Sequence, residues 1–397
     1  MRRLLLVTHR PLDQPGGPAA RWRSLVRYLP EAGWEVDVLS APTRAGAVEF
    51  ATSETDRRRA AARARVMGAV GRISSPAFAL AGIRPEAVPL STAWLPRATR
   101  RIRERVAAER PDVVLATGPP MAALLAARLA HRDGSPPLVV ELRDLWAGNP
   151  AFDRRGGLLG RLESWVFGAA EAVVATTPEA AADIAGRHPH LAGRVHEIPN
   201  GFEPELLNRR APQPDPGTPI TLLHSGTLSA DRPLRPLLSV LAREPHRSRF
   251  RLVLHGFLVP EIRGQVTEFE DRVDVEVLPP SSWADAVERI ADADATLVSQ
   301  ARGAGDATAV AAKVYEYLAL GKPVLAVTDG GATEALLQRV GAYGLTARLS
   351  DERSIERALE RLAAGDIPDP VPVERLEPYD RRRIAHRTAA LLDEVGR

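Results

Sequence analysis

The stretch Lys313–Val327, KVYEYLALGKPVLAV, sets one carboxylate, Glu316, among aromatic and aliphatic residues, breaks at Gly-Lys-Pro, and continues as an apolar strand. The run before it, Arg302-Gly-Ala-Gly-Asp-Ala-Thr308, has glycines that let backbone approach a ligand, and Asp306 or Thr308 can cap a helix beginning at Ala309. Exposed amides and the dipole at such a helix start suit an anion such as a phosphate. Thr308, Ala312 and Glu316 stand at i, i+4 and i+8, which keeps them near one helix face. A rise of 1.5 Å per residue puts Glu316 about 12 Å beyond Thr308. That is the reach of an extended nucleotide sugar, with diphosphate at the helix start and two ribose hydroxyls donating to the Glu316 carboxylate. Ala311 and Ala312 leave room for it. From this helix alone, a solvated Glu316, or one paired with Lys313, is an equally good reading.

The elements that must position these residues follow a regular alternation. The 397 residues exceed one core, so two domains are expected; 45% hydrophobic and 26% charged residues fit a globular chain. There is no cysteine, which excludes disulfides, thiolate nucleophiles and thiolate metal sites, and a net charge of +3 gives no argument for nucleic acid. The apolar run in MRRLLLVTHRP is too short for a signal peptide or a spanning helix, so a cytoplasmic protein is expected. Apolar runs at 4–8, 35–39, 113–117, 138–142, 173–176 and 195–198 alternate with amphipathic stretches, then the pattern restarts at 221–224, 251–255, 273–278, 295–299, 323–327 and 344–347. Val- and Leu-rich runs with little polar alternation are strands of a parallel sheet covered on both faces. The predicted class is therefore α/β, two Rossmann-like domains with a cleft between them. Their expected spans are 1–205 and 220–397, joined by a Pro-rich linker over 206–219, with the last helix, 381–395, packing back on the first domain.

Five stretches, in order, resemble the family 4 glycosyltransferases of GT-B fold. They are the Gly16-Gly17 loop, Glu141-Leu-Arg-Asp-Leu-Trp146, Ile198-Pro-Asn-Gly201, His224-Ser-Gly-Thr-Leu228, and the Lys313–Ala319 helix followed by Gly-Lys-Pro. The resemblance spans nearly the whole chain. It implies transfer of a sugar from a nucleotide sugar, a UDP-sugar above all, to an acceptor hydroxyl, usually with retention, the donor lying mainly on the second domain. Glu316 matches the family's ribose-binding glutamate, the second of a Glu-x7-Glu pattern whose first position is Thr308 here. The diphosphate-binding arginine and lysine of the family fall near Thr227 and Arg232, next to Gly226; Arg232 retains a cation, and Lys313 is expected to share its work. These cations, with the amides of Gly16 and Gly17, would stabilise the leaving diphosphate without a metal or a cofactor.

The acceptor side is expected on the first domain. Asp144 is the candidate base for an inverting reaction, His9 a further acceptor-side candidate, and Arg143 and Trp146 flank the same strand end; pairing of Asp144 with Arg143 and packing of Trp146 are the structural alternatives. Ala291-Asp-Ala-Asp294 reads as a helix end rather than a metal pair, the nine histidines show no ligand spacing, and His188-Pro-His190 reads as a surface turn. An insertion over about 43–105 is rich in arginine, with twelve between 57 and 105 against Glu86 and Glu104. Its apolar interleaving raises an anionic membrane surface at the inner face, carrying a lipid-linked acceptor, against the alternative of a solvated face and a small soluble acceptor. Two rival functions remain: an enzyme of the same fold doing other chemistry, such as a nucleotide-sugar epimerase, and a silent nucleotide-binding partner of another transferase.

Overall fold

A computed structural model describes residues 1–13, 17–41, 94–149, 157–210, 219–229, 232–300 and 307–397. Gly16, most of the arginine-rich insertion, most of the linker and the 302–306 loop lie outside them. The chain forms two compact units, one of residues 1–176, 180–198 and 386–397, the other of 177–179 and 199–385.

The first unit holds β1 (Arg2–Thr8), β2 (Trp34–Leu39), β3 (Val113–Gly118), β4 (Leu138–Leu142), β5 (Ala172–Ala175) and β6 (Val195–Glu197), in the order β2-β1-β3-β4-β5-β6 with every pair parallel. Its helices are α1 (Gly17–Tyr28), α2 (Trp94–Glu109), α3 (Ala122–Ala130), α4 (Leu158–Phe167) and α5 (Pro178–Arg187). All residues of β3, β4 and β5 are buried, which is why these runs lack polar alternation. Helix α3, AALLAARLA, is buried on nearly all sides, and its small residues let it lie close to the sheet. Each fully buried Leu or Val contributes roughly 1.5–3 kcal/mol. Near the chain's end, Asp393 Oδ1 accepts from Arg2 Nη1 and from Trp34 Nε1, each at 2.9 Å.

The second unit holds β7 (Ile220–Ser225), β8 (Phe250–His255), β9 (Asp274–Leu278), β10 (Ala295–Ser299), β11 (Val324–Val327) and β12 (Thr346–Ala347), ordered β12-β11-β10-β7-β8-β9 and again parallel. Around it stand α6 (Arg235–Leu241), α7 (His246–Arg249), α8 (Pro260–Phe269), α9 (Trp283–Asp292), α10 (Lys313–Ala319), α11 (Ala332–Val340), α12 (Glu352–Ala363) and α13 (Val373–Leu376); α14 (Arg381–Val395) starts in this unit and from His386 onward is counted with the first. Ser282 and Asp285 form a reciprocal capping box that fixes the start of α9. The sequence motif Ile198–Gly201 ends where backbone meets backbone: a Cβ on Gly201 would lie 1.9 Å from the Tyr379 carbonyl oxygen, while Phe202 N–H donates to that oxygen at 3.0 Å. The strand order reverses between β1 and β3 in one sheet and between β7 and β10 in the other. Ligands of open parallel sheets bind beyond the carboxyl ends at such reversals.

The twelve strands and the two Rossmann-like sheets stand where the apolar runs placed them. Two expectations fail. The helix expected over 309–320 is confined to Lys313–Ala319. Gln300 Nε2 donates to the Ala309 carbonyl at 2.8 Å, occupying the acceptor that the Lys313 amide would use in a longer helix. Thr308 and Glu316 therefore do not share one helix face. His188 is not a surface residue either; it is 4% exposed, its Nε2 2.7 Å from the fully buried Glu163, with Arg187 joining the same carboxylate.

Candidate functional site

Strand β7 ends at Ser225, and the chain turns at Gly226 with φ +117°, a conformation that favours glycine. A Cβ at Gly226 would stand 3.0 Å from Lys313 Nζ, and a Cβ at Gly256 would stand 2.3 Å from the Gly226 carbonyl oxygen. The bare backbone lets the Lys313 side chain fold over the turn. Its Nζ lies 2.8 Å from Nε2 of His224, whose Nδ1 is 3.1 Å from the Leu297 carbonyl oxygen. A carbonyl only accepts, so Nδ1 carries the ring proton and Nε2 accepts from Lys313. Burial, Lys313 and Arg232 drive His224 well below its ordinary pKa, which keeps the ring neutral. Burial and the Arg232 guanidinium push the Lys313 ammonium down to about 7, against the pull of Glu316. Arg232 Nε is buried and has no hydrogen-bond partner among the described residues.

Glu316 lies one turn beyond Lys313 on α10, half-buried. Its Oε1 accepts from Trp283 Nε1 at 3.1 Å, and that indole, at the head of α9, is 46% exposed. Burial raises the Glu316 carboxyl, while Arg381 and the Trp283 bond hold it back. The next residue, Tyr317, is fully buried and its hydroxyl accepts from Ser225 N–H at 2.9 Å, so α10 is locked to the end of β7. At the end of the neighbouring β10, Gln300 is 1% exposed and its Oε1 has no partner among the described residues. Lys313 and Arg232 thus lie together by the Gly226 turn at the carboxyl end of β7, with a carboxylate one helical turn beyond Lys313. Such a set can hold a dianion and, beside it, a pair of hydroxyls.

In the first unit, Glu141 in β4 is 2% exposed and accepts from Arg21 Nε at 3.1 Å, Arg21 Nη2 at 3.0 Å, Trp22 Nε1 at 2.8 Å and Thr117 Oγ1 at 2.7 Å. Burial pushes its carboxyl up, but Arg21, Thr117, Arg143 and Trp22 outweigh that and leave it below the usual range. Arg21 also reaches the Ile198 carbonyl at 3.1 Å. Arg143 is buried, donates to the Pro119 carbonyl, and leaves Nε without a partner among the described residues. Asp144 is exposed at the same strand end. Register aligns Thr8 with Thr117 and Thr117 with Glu141, so His9 emerges on this edge two strands away, about 10 Å by strand spacing. His9 lies edge-on to Trp94 at 4.8 Å, and burial followed by Arg10 lowers its pKa.

Residues 16–201 match the family described as Glycosyl transferase 4-like domain. The fold of the whole chain is that of GT-B enzymes. A glycosyltransferase from Rickettsia africae superposes with a TM-score of 0.67 at 12% identity, covering 99% of this chain and 98% of that one. The family match thus covers the first half of the chain, and the whole chain shares the GT-B fold. HepE from Anabaena, solved with UDP-glucose, gives a TM-score of 0.66 at 16% identity over 99% of this chain and 100% of that one. The UDP-GlcNAc 2-epimerase from Methanocaldococcus jannaschii gives 0.55 at 11% identity over 99% and 100%. No curated protein sequence matches the chain.

The residues that the sequence proposes for a donor site divide. Gly226, Arg232, Lys313 and Glu316 come together; Thr227 is exposed beside them, and Thr308 stands off the Glu316 helix. Gly17 opens α1, while Gly16 is outside the described residues. On the acceptor side, Trp146 is fully buried, so it packs and has no face to offer a sugar. Asp294 is engaged structurally, accepting from Thr221 N–H at 2.6 Å. Within α2, Arg100 and Arg101 pair with Glu104, Arg105 with Asp37, and Arg103 with the Leu129 carbonyl. Sequence reasoning missed His224, Trp283 and Gln300. His224 opens the His224–Leu228 stretch, but a buried histidine accepting from a lysine 89 positions later leaves no local signal.

Proposed function

We propose that this glycosyltransferase binds a UDP-sugar through Gly226, Arg232, Lys313 and Glu316 and transfers the sugar to an acceptor hydroxyl with retention, without a metal and without a cofactor. The observation that carries the donor assignment is the Lys313 side chain held over the Gly226 turn by His224, beside Arg232. The diphosphate lies against these two cations, and the ribose hydroxyls donate to Glu316 one turn away, in place of the Trp283 indole. UDP as the nucleotide is supported by the likeness to HepE solved with UDP-glucose. Retention follows if the departing phosphate takes the acceptor's proton from the same face. Asp144, exposed at its strand end, and His9 are the protein groups for the inverting route. Four of the arginines of α2, Arg100, Arg101, Arg103 and Arg105, bond within the fold, which weighs against the membrane reading for that segment. No described helix is long and apolar enough to cross a membrane, and a cytoplasmic, at most peripheral, placement is our reading.

Calorimetry with UDP tests the site. Glu316→Ala should weaken binding by about 1–3 kcal/mol, the scale for hydrogen bonds to a charged group. Unchanged affinity would remove Glu316 from it. The likeness to a 2-epimerase favours one rival, epimerisation of the nucleotide sugar. Epimerised nucleotide sugar appearing without any acceptor would establish that rival; slow release of UDP from donor alone supports transfer over a silent binding partner.

A further inference from the structure

His246, Glu356 and Glu360 present ligand atoms within 4.8 Å of one another at the end of the second unit remote from Gly226. His246 opens α7, just before β8, whereas the donor side lies at the carboxyl ends of the strands; β8 alone separates the two by roughly 15–20 Å. The imidazole is 2% exposed, and neither ring nitrogen has a hydrogen-bond partner among the described residues. A buried polar ring in that state costs free energy unless something pairs with it. Its Nε2 points to Glu356 Oε1 at 3.9 Å, too far for a hydrogen bond and a few tenths of an ångström beyond the ligand–ligand edge of about 3.4 Å in a tetrahedral zinc site. Glu356 and Glu360 stand at i and i+4 on α12, so both carboxylates project from one face toward the ring.

We propose that His246, Glu356 and Glu360 bind a divalent transition-metal ion of the zinc class, which pins the β7–β8 connection to α12. One imidazole and two carboxylates suit zinc or cobalt, whereas calcium and magnesium prefer shells made of oxygen alone. Three protein ligands leave water to complete the coordination. The ion serves the fold, not sugar transfer, because it sits away from the donor cations. No local spacing announces the site, since His246 and Glu356 are far apart in sequence.

The test uses the full chain, stripped of metal and titrated with Zn2+ and with Co2+ as a visible-absorption probe. We expect one ion bound per chain, a Co2+ absorption band of low-symmetry type, and a rise in melting temperature of about 5–10 °C at a hundredfold excess over Kd. The double variant E356Q/E360Q alters a half-exposed helix face and should fold. It should lose binding by more than about 100-fold, given that even outer-sphere partners are worth about 10–100-fold. His246→Asn should do the same. Failure of the wild type to bind Zn2+ or Co2+, or binding that persists unchanged in folded E356Q/E360Q, would overturn the proposal.

Discussion

At the scale of single residues, the proposed donor site turns on the protonation of Lys313. Its pKa near 7 in the free protein means that much of it is neutral at pH 8. A bound diphosphate favours the charged form and raises that pKa, so binding takes up a proton. UDP affinity should then fall as pH rises from 7 to 9, by up to about tenfold per unit, above the ionisation of the phosphate itself near 6. Calorimetry across that range checks it, and Lys313→Met should bind more weakly and show a flat profile. The lysine was legible in the sequence as a cation near a glutamate. Its tuning was not, because the causes, burial against His224 and the field of Arg232, come from residues that only the fold brings near.

At the scale of elements, the strands were readable because parallel strands are apolar on both faces, and such runs stand out without any alignment. Helix α10 was misread in length for the opposite reason. Ala-rich sequence before Lys313 has helical propensity, but Gln300 claims the Ala309 carbonyl and the ladder begins late. The docking of α1 on its sheet was also hidden. Glu141 looked like part of a motif, and its work is to accept from Arg21, Trp22 and Thr117 at once. Removing it leaves a buried guanidinium uncompensated, so Glu141→Ala should cost about 3–5 kcal/mol, seen as a lower urea midpoint. The same carboxylate contributes to acid sensitivity. Its folded pKa lies below the unfolded value, so its stabilisation is present above the unfolded pKa and lost as pH falls through the folded one.

At the scale of the whole molecule, the reaction and the proposed ion are separable. Chelation of the purified protein should leave the rate of sugar transfer unchanged while lowering the melting temperature, as paired activity and thermal-shift measurements would show. A parallel fall in rate at a temperature well below unfolding would contradict metal-independent transfer. The contact of Asp393 with Arg2 and Trp34 bears on something else, the order in which the polypeptide can mature. A nascent chain displays Trp34 long before residue 393 has been made; at 5–20 residues per second the interval is roughly 20–70 s. Throughout it the indole N–H has no acceptor from the tail, and the first sheet waits on the ribosome for its final brace.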